Sequence, residues 1–175
     1  IIGDCDHTGT KIRFLPNAEI FETVEFVFDT LKTRLREMAF LNSGVRITLT
    51  DCRCDPPLVQ EFFYEGGVSH FVKYLNRAKE PLHPEPIHIE GVRGDAAVEM
   101  AMQYTTGYNE AVFCFTNNIS NPEGGTHLAG FRSAITRVIN DYAKRFNYLK
   151  ETDENLAGED VREGLTAIVS VLTGI

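Results

Sequence analysis

The apolar positions of this chain change period along its length, and the changes mark out its elements. Residues 8–16 alternate around Ile12 and Phe14, which predicts a strand. Over 23–44 the period lengthens. Phe28, Leu31, Leu35, Met38 and Leu41 recur every three or four residues, the buried stripe of a first long helix, with Gly44 available for a left-handed C-terminal turn. Residues 45–51 return to strict alternation, a strand that the prolines at 56 and 57 break off. Residues 61–67 predict a short strand stopped by two glycines, and 68–79 a short helix ended by Pro81. The stretches 85–94 and 96–106 read as a hairpin, and 110–118 as another strand of the same sheet. Over 126–146 the helical period returns, with Leu128, Phe131, Ile135, Val138, Ile139, Tyr142 and Phe146 on one face. Residues 158–164 form a polar turn, at most one turn of helix, and 165–172 a wholly apolar buried strand.

The sum is a mixed α/β domain of about seven strands, with two long helices covering one face of a sheet. A hydrophobic fraction of 43% in 175 residues suffices for one core, and no repeat or linker divides 1–175. The net charge of −8 argues against a dedicated nucleic-acid-binding domain but leaves room for one local basic face. No apolar run approaches the roughly 18 residues of a membrane helix. The chain begins without methionine and shows no leader pattern, and both ends read as cuts inside a longer protein. Cysteines stand at 5, 52, 54 and 114. Cys52 and Cys54, with His83 and His88 downstream, offer soft ligands, but zinc sites favour about two to four residues between paired cysteines. Reduced thiols, no metal and a cytoplasmic setting are the expectation.

Two stretches invite a chemical reading. Gly125 and Gly130 have the spacing of a phosphate-cradling loop, yet Phe131 and Arg132 stand where that loop needs a lysine and a hydroxyl. Asn117, Asn118, Gly124, Gly125 and Thr126 instead read as a turn that sets the entry of the second long helix, with Thr126 as its N-cap. The segment "GEDVREG" holds Asp160, Arg162 and Glu163. Its carboxylates could do acid–base work, but the arginine between them points to an ion-pair knot that orders a turn. His70 and His127 lack an evident nucleophile and read as packing or capping residues. No catalytic, cofactor-binding or metal-ligating residue is assigned.

The stretches "RLREMAFLNSGVRITLTD", "YEGGVSHFVKYLN", "PLHPEPI" and "VEMAMQY", followed by "FCFTNNI...EGGTHLAGFR.A.TR.IN.YA" and "GEDVREGLTAIVSV", lie in order over nearly the whole chain. Together they resemble the transducer domain, the second domain of the ATPase subunit of bacterial type IIA topoisomerases. The resemblance implies the ribosomal protein S-five domain-two-like fold with a left-handed βαβ crossover, a hand that the usual rule for such units would not give. It also implies a role. An upstream GHKL domain binds Mg-ATP and pairs with a second B subunit, and the transducer domain carries that event to DNA and to the gyrase A subunit. A Gln-Thr-Lys switch motif and a TOPRIM domain are expected downstream, so this stretch alone is expected to be catalytically silent. The residue the resemblance singles out is Arg132, matched to an arginine lining a cavity through which DNA passes. An always-charged guanidinium attracts phosphates without reading sequence. Arg137, Lys144 and Arg145 cannot all share its face of the helix. "GFR" in place of "GFK" leans to gyrase over topoisomerase IV, and "LTGI" departs from the lysine-containing continuation of the family. The rival readings are a small-molecule kinase of the same fold and a stand-alone nucleic-acid-binding domain.

Overall fold

The computed structural model describes residues 8–10 and 16–174. The strand expected over 8–16 falls mostly outside them, as does Cys5. The elements run α1 (Phe28–Leu41), β1 (Ile47–Asp51), β2 (Leu58–Phe62), α2 (Gly67–Leu75), β3 (Ile87–Arg93), β4 (Ala96–Tyr104), β5 (Ala111–Thr116), β6 (Ile119–Ser120), α3 (Thr126–Arg145), α4 (Gly158–Arg162) and β7 (Leu165–Thr173). The class is mixed α/β, as the pattern predicts.

Three expectations need correction. The first helix begins at Phe28 rather than 23, because Thr23, Val24, Phe26 and Val27 are β-branched or aromatic residues that favour extended backbone. The strand expected over 61–67 lies earlier, at Leu58–Phe62. It is antiparallel to β1 with Ile47 opposite Phe62, and Gly67, at φ 52°, opens α2 instead of closing a strand. This hairpin forms a two-stranded sheet of its own.

The third correction concerns layers. The main sheet has the order β3-β4-β7-β5-β6, antiparallel except for the parallel pair β5 and β7. Its two faces carry separate cores. Ala101, Phe115 and Ile168 pack with Phe40 and Leu41 of α1 and Val68, Phe71 and Val72 of α2. Their strand neighbours Cys114, Ala167 and Val169, with Met100 and Met102, pack with Phe131 and Ile135 of α3. Successive strand residues point to opposite faces, so the two long helices lie on opposite faces, not on one. The reason is β7, whose residues 165–170 are all buried. A central strand apolar on both sides must be covered on both sides.

The α1–α2 layer is closed by aromatic stacking of Phe40 on Tyr64 and Phe71, at centroid separations of 3.7 and 4.7 Å. Its polar members are satisfied: Thr166 donates to Asn76 Oδ1 at 2.7 Å, and Asn76 Nδ2 donates to Gln103 Oε1 at 3.0 Å. On the other face α3 and α4 connect β5 to its parallel neighbour β7, the crossover to which the resemblance assigns the left hand. These two connecting helices carry the candidate site.

Candidate functional site: an arginine–glutamate–arginine cluster

The helix α3 starts from a glycine-rich turn, and the structure separates the two tasks assigned to it. Asn117 and Asn118, at φ 49° and 64°, form the two-residue loop of the β5–β6 hairpin, where Thr116 faces Ile119. Both positions need left-handed backbone, which asparagine tolerates. Asn117 also accepts from the Thr173 backbone N–H at 3.0 Å, and Asn118 Nδ2 donates to Asn42 Oδ1 at 3.0 Å. They tie the hairpin to β7 and to the end of α1 rather than setting the entry of α3. That entry belongs to Gly124, at φ 75°, and to Gly125, which is extended and holds the N-cap position. Thr126 is therefore the first helical residue and not the cap; no side chain caps this helix.

Nearly two turns into α3, Arg132 Nε donates to Glu110 Oε1 at 2.8 Å. Glu110 lies just before β5, and its other oxygen accepts from Arg162 Nε at 3.2 Å. Arg162 Nη1 reaches Thr136 Oγ1 at 3.4 Å, and that hydroxyl donates to the Arg132 carbonyl at 2.8 Å. The contacts close a ring through α3, α4 and the start of β5. Burial grades across it: the side chain of Arg162 is 13% exposed, Glu110 24% and Arg132 43%. A guanidinium as covered as Arg162 needs its carboxylate, since an unpaired charge there would cost several kcal/mol.

The ion-pair knot expected within "GEDVREG" is thus overturned. Arg162 pairs 52 residues back, and among the described residues no ion pair involves Asp160 or Glu163. Asp160 contributes its carbonyl to the Glu163 backbone N–H at 3.3 Å and lies in the first turn of α4. Next to this turn Tyr104 donates its hydroxyl to the Val161 carbonyl at 2.7 Å; burial raises its pKa, and the Arg162 charge pulls the other way. Glu110, Thr136 and Tyr104 were missed by reading the sequence. Only Thr136, four residues after Arg132 and so on the same helical face, carries a local signal.

The remaining basic residues do not converge on the cluster. Arg137 and Arg145 are exposed on α3, and Arg145 sits 5.7 Å from the Phe146 ring. His70 is exposed with its ring against Gly66. His127 lines an apolar groove of about 530 Å³ between α3 and β3–β4. Phe131 is buried, Arg132 is paired with Glu110, and no group of three or more His, Cys, Asp or Glu side chains suited to a metal exists among the described residues. No helix among them is long and apolar enough to cross a membrane.

The family model for DNA gyrase B matches residues 67–174, which include β4, the whole cluster and β7. The chain belongs to the DNA gyrase B family. It is 61% identical over 171 residues to the DNA gyrase B subunit of Clostridium acetobutylicum, an alignment covering 97% of this chain and 26% of that protein. To the corresponding protein of Halalkalibacterium halodurans it is 56% identical over 172 residues, covering 98% and 27%. The chain thus spans about a quarter of these relatives. A crystal structure of the 43K ATPase domain of Thermus thermophilus gyrase B, in complex with an aminocoumarin, superposes with a TM-score of 0.80 at 36% identity. That likeness covers 91% of this chain and 43% of the other. A topoisomerase IV ATP-binding domain from Francisella tularensis shares the fold, with a TM-score of 0.71 at 21% identity.

Among the described residues the thiols divide by exposure. Cys52 and Cys54 are exposed in the β1–β2 loop, and Cys114 is buried under α3. Burial raises the Cys114 thiol pKa, against a smaller opposite pull from Arg132. A protonated, covered thiol is a poor nucleophile. Native alkylation at neutral pH followed by peptide mapping should therefore modify Cys52 and Cys54 within minutes and Cys114 only after denaturation.

Proposed function

We propose that this chain is the transducer domain of a DNA gyrase B subunit. In that role it couples ATP binding and hydrolysis in an upstream GHKL domain to strand passage and negative supercoiling of DNA, in a type II topoisomerase completed by a second B subunit together with the gyrase A subunit. The observation that carries this reading is a family match running through the α3–α4–β7 unit, with identities above half over nearly the whole chain. Within it Arg132 is the DNA-facing residue. It is part-exposed, hydrogen-bonded at its guanidinium through Nε alone among the described residues, and stands where the resemblance puts an arginine of the DNA cavity.

Coupling also has a physical route here. Arg162 belongs to α4, whose end leads through Gly164 into β7, and the strand order puts β7 at the centre of the sheet. Arg132 is carried on α3, which packs against α4 and so bears on the start of the central strand. Nothing in this chain supplies a phosphate-binding lysine and hydroxyl after its glycine turn, so Mg-ATP is held elsewhere in the parent protein. Calorimetry of the isolated chain with a non-hydrolysable ATP analogue and magnesium should show no binding at micromolar concentrations. Micromolar affinity would overturn the assignment of nucleotide chemistry to other domains.

A further inference from the structure

Arg132 is tethered in an unusual way for a residue that meets DNA. Its Nε donates to a carboxylate, while among the described residues its two terminal Nη groups make no hydrogen bond. The carboxylate is itself anchored. Arg162 holds the second oxygen of Glu110, Thr136 links Arg162 to α3, and the Thr136 hydroxyl returns to the Arg132 carbonyl. Each link bears on the same guanidinium, from its backbone or from its Nε edge.

We propose that Glu110 is a positioning residue for Arg132: anchored by Arg162, its carboxylate grips the Nε edge of the Arg132 guanidinium and leaves both Nη groups to a DNA phosphate. This rests on the DNA-facing reading of Arg132. A free arginine side chain must be ordered when it binds, and that ordering weakens the contact. A guanidinium already fixed along one edge loses less freedom when its terminal fork meets phosphate. The cluster keeps a net charge of +1, from two guanidinium groups and one carboxylate, so it still attracts a phosphate.

The sign of a single substitution separates positioning from plain electrostatics. Glu110→Gln removes a negative charge beside the DNA path, so electrostatics alone predicts tighter DNA binding. The amide, however, has one acceptor oxygen in place of two. The more buried Arg162 claims it, and Arg132 is released. Positioning therefore predicts weaker DNA engagement.

The experiment uses linear duplex DNA with the full-length protein in complex with the gyrase A subunit. It measures the DNA concentration giving half-maximal stimulation of ATP hydrolysis, the maximal stimulation, and the melting temperature, for Glu110→Gln, Glu110→Asp, Arg132→Gln and the Glu110→Gln/Arg132→Gln double variant. Glu110→Gln is expected to raise the half-maximal concentration about two- to tenfold, the ordering cost of one long side chain, with maximal stimulation retained. In the Arg132→Gln background, where stimulation is little or none and duplex affinity is read directly by fluorescence anisotropy, it should add nothing. Glu110→Asp, which keeps both oxygens, should recover part of the loss. A half-maximal concentration that is unchanged or lower in Glu110→Gln, while Arg132→Gln abolishes stimulation, overturns the positioning role and leaves the reading of Arg132 intact. So do effects of the two substitutions on duplex affinity that simply add. Unchanged stimulation in Arg132→Gln overturns both.

Discussion

Replacing Gly164 by alanine is expected to destabilise this domain by about 3–5 kcal/mol, beyond the usual range for a point substitution. Two costs combine. Gly164 sits at φ 72° between α4 and β7, a conformation that costs a residue with a Cβ roughly 1–2 kcal/mol. An added Cβ would also stand 2.5 Å from the Thr105 carbonyl oxygen and 2.6 Å from that of Gly107. Both are backbone atoms, so no side chain can rotate away. The approach is close because Gly164 O accepts from the Thr105 backbone N–H at 2.9 Å and from its hydroxyl at 3.2 Å, closing the end of the β4–β7 ladder where Tyr104 faces Leu165. In a domain of this size each kcal/mol moves the melting temperature by about 2–4 °C, so thermal denaturation of the isolated chain should show a drop of about 10 °C. Gly130 sets the opposite control. It lies inside α3 with nothing within 4 Å of the place an added methyl would take, and alanine there should stabilise by about 0.5–1 kcal/mol. Equal melting temperatures for the two variants would contradict the geometry at the α4–β7 junction.

How much of this was legible in the sequence depends on how local each cause is. The period of α3 and the alternation of β1 are local, and both elements stand close to their expected places. The start of α1 was misplaced because the helix was carried back past its apolar stripe, which begins at Phe28, into Thr23–Val27, where side-chain type argues for extended backbone. The layers were misread although the clue was present: a run such as 165–170, with almost no strongly polar side chain on either side, cannot lie on a sheet covered on one face only. At the site, the special backbone of Asn117, Asn118 and Gly124 was visible, since a left-handed position selects its residue. Thr126 was misassigned by one residue, and an N-cap is defined by that single residue. The partner of Arg162 was out of reach. Asp160 and Glu163 lie beside it in sequence, while Glu110 reaches it only through the pairing of β5 with β7, and a carboxylate before an apolar strand carries no mark of what it will meet.

The largest functional effect is expected at Arg132. In the full-length protein, paired with the gyrase A subunit, Arg132→Gln removes a part-exposed guanidinium whose only ion pair is to Glu110 among the described residues. Glu110 keeps Arg162, so the turn of α4 stays closed and stability should change by no more than about 1 kcal/mol. The nucleotide is held in another domain on this account, so hydrolysis without DNA should persist. What should be lost is the response to DNA, and with it supercoiling. Removing one phosphate contact should also reduce the dependence of log affinity on log salt by about one unit. The measurement that tests the coupling role most directly is the ATP hydrolysis rate of Arg132→Gln with and without saturating duplex DNA, beside its melting temperature. The account predicts a near-normal rate without DNA, a melting temperature within a few degrees of the parent, and little or no stimulation when DNA is added. Full stimulation by DNA, with a melting temperature lowered by several degrees, would contradict it and leave Arg132 a residue of the fold alone.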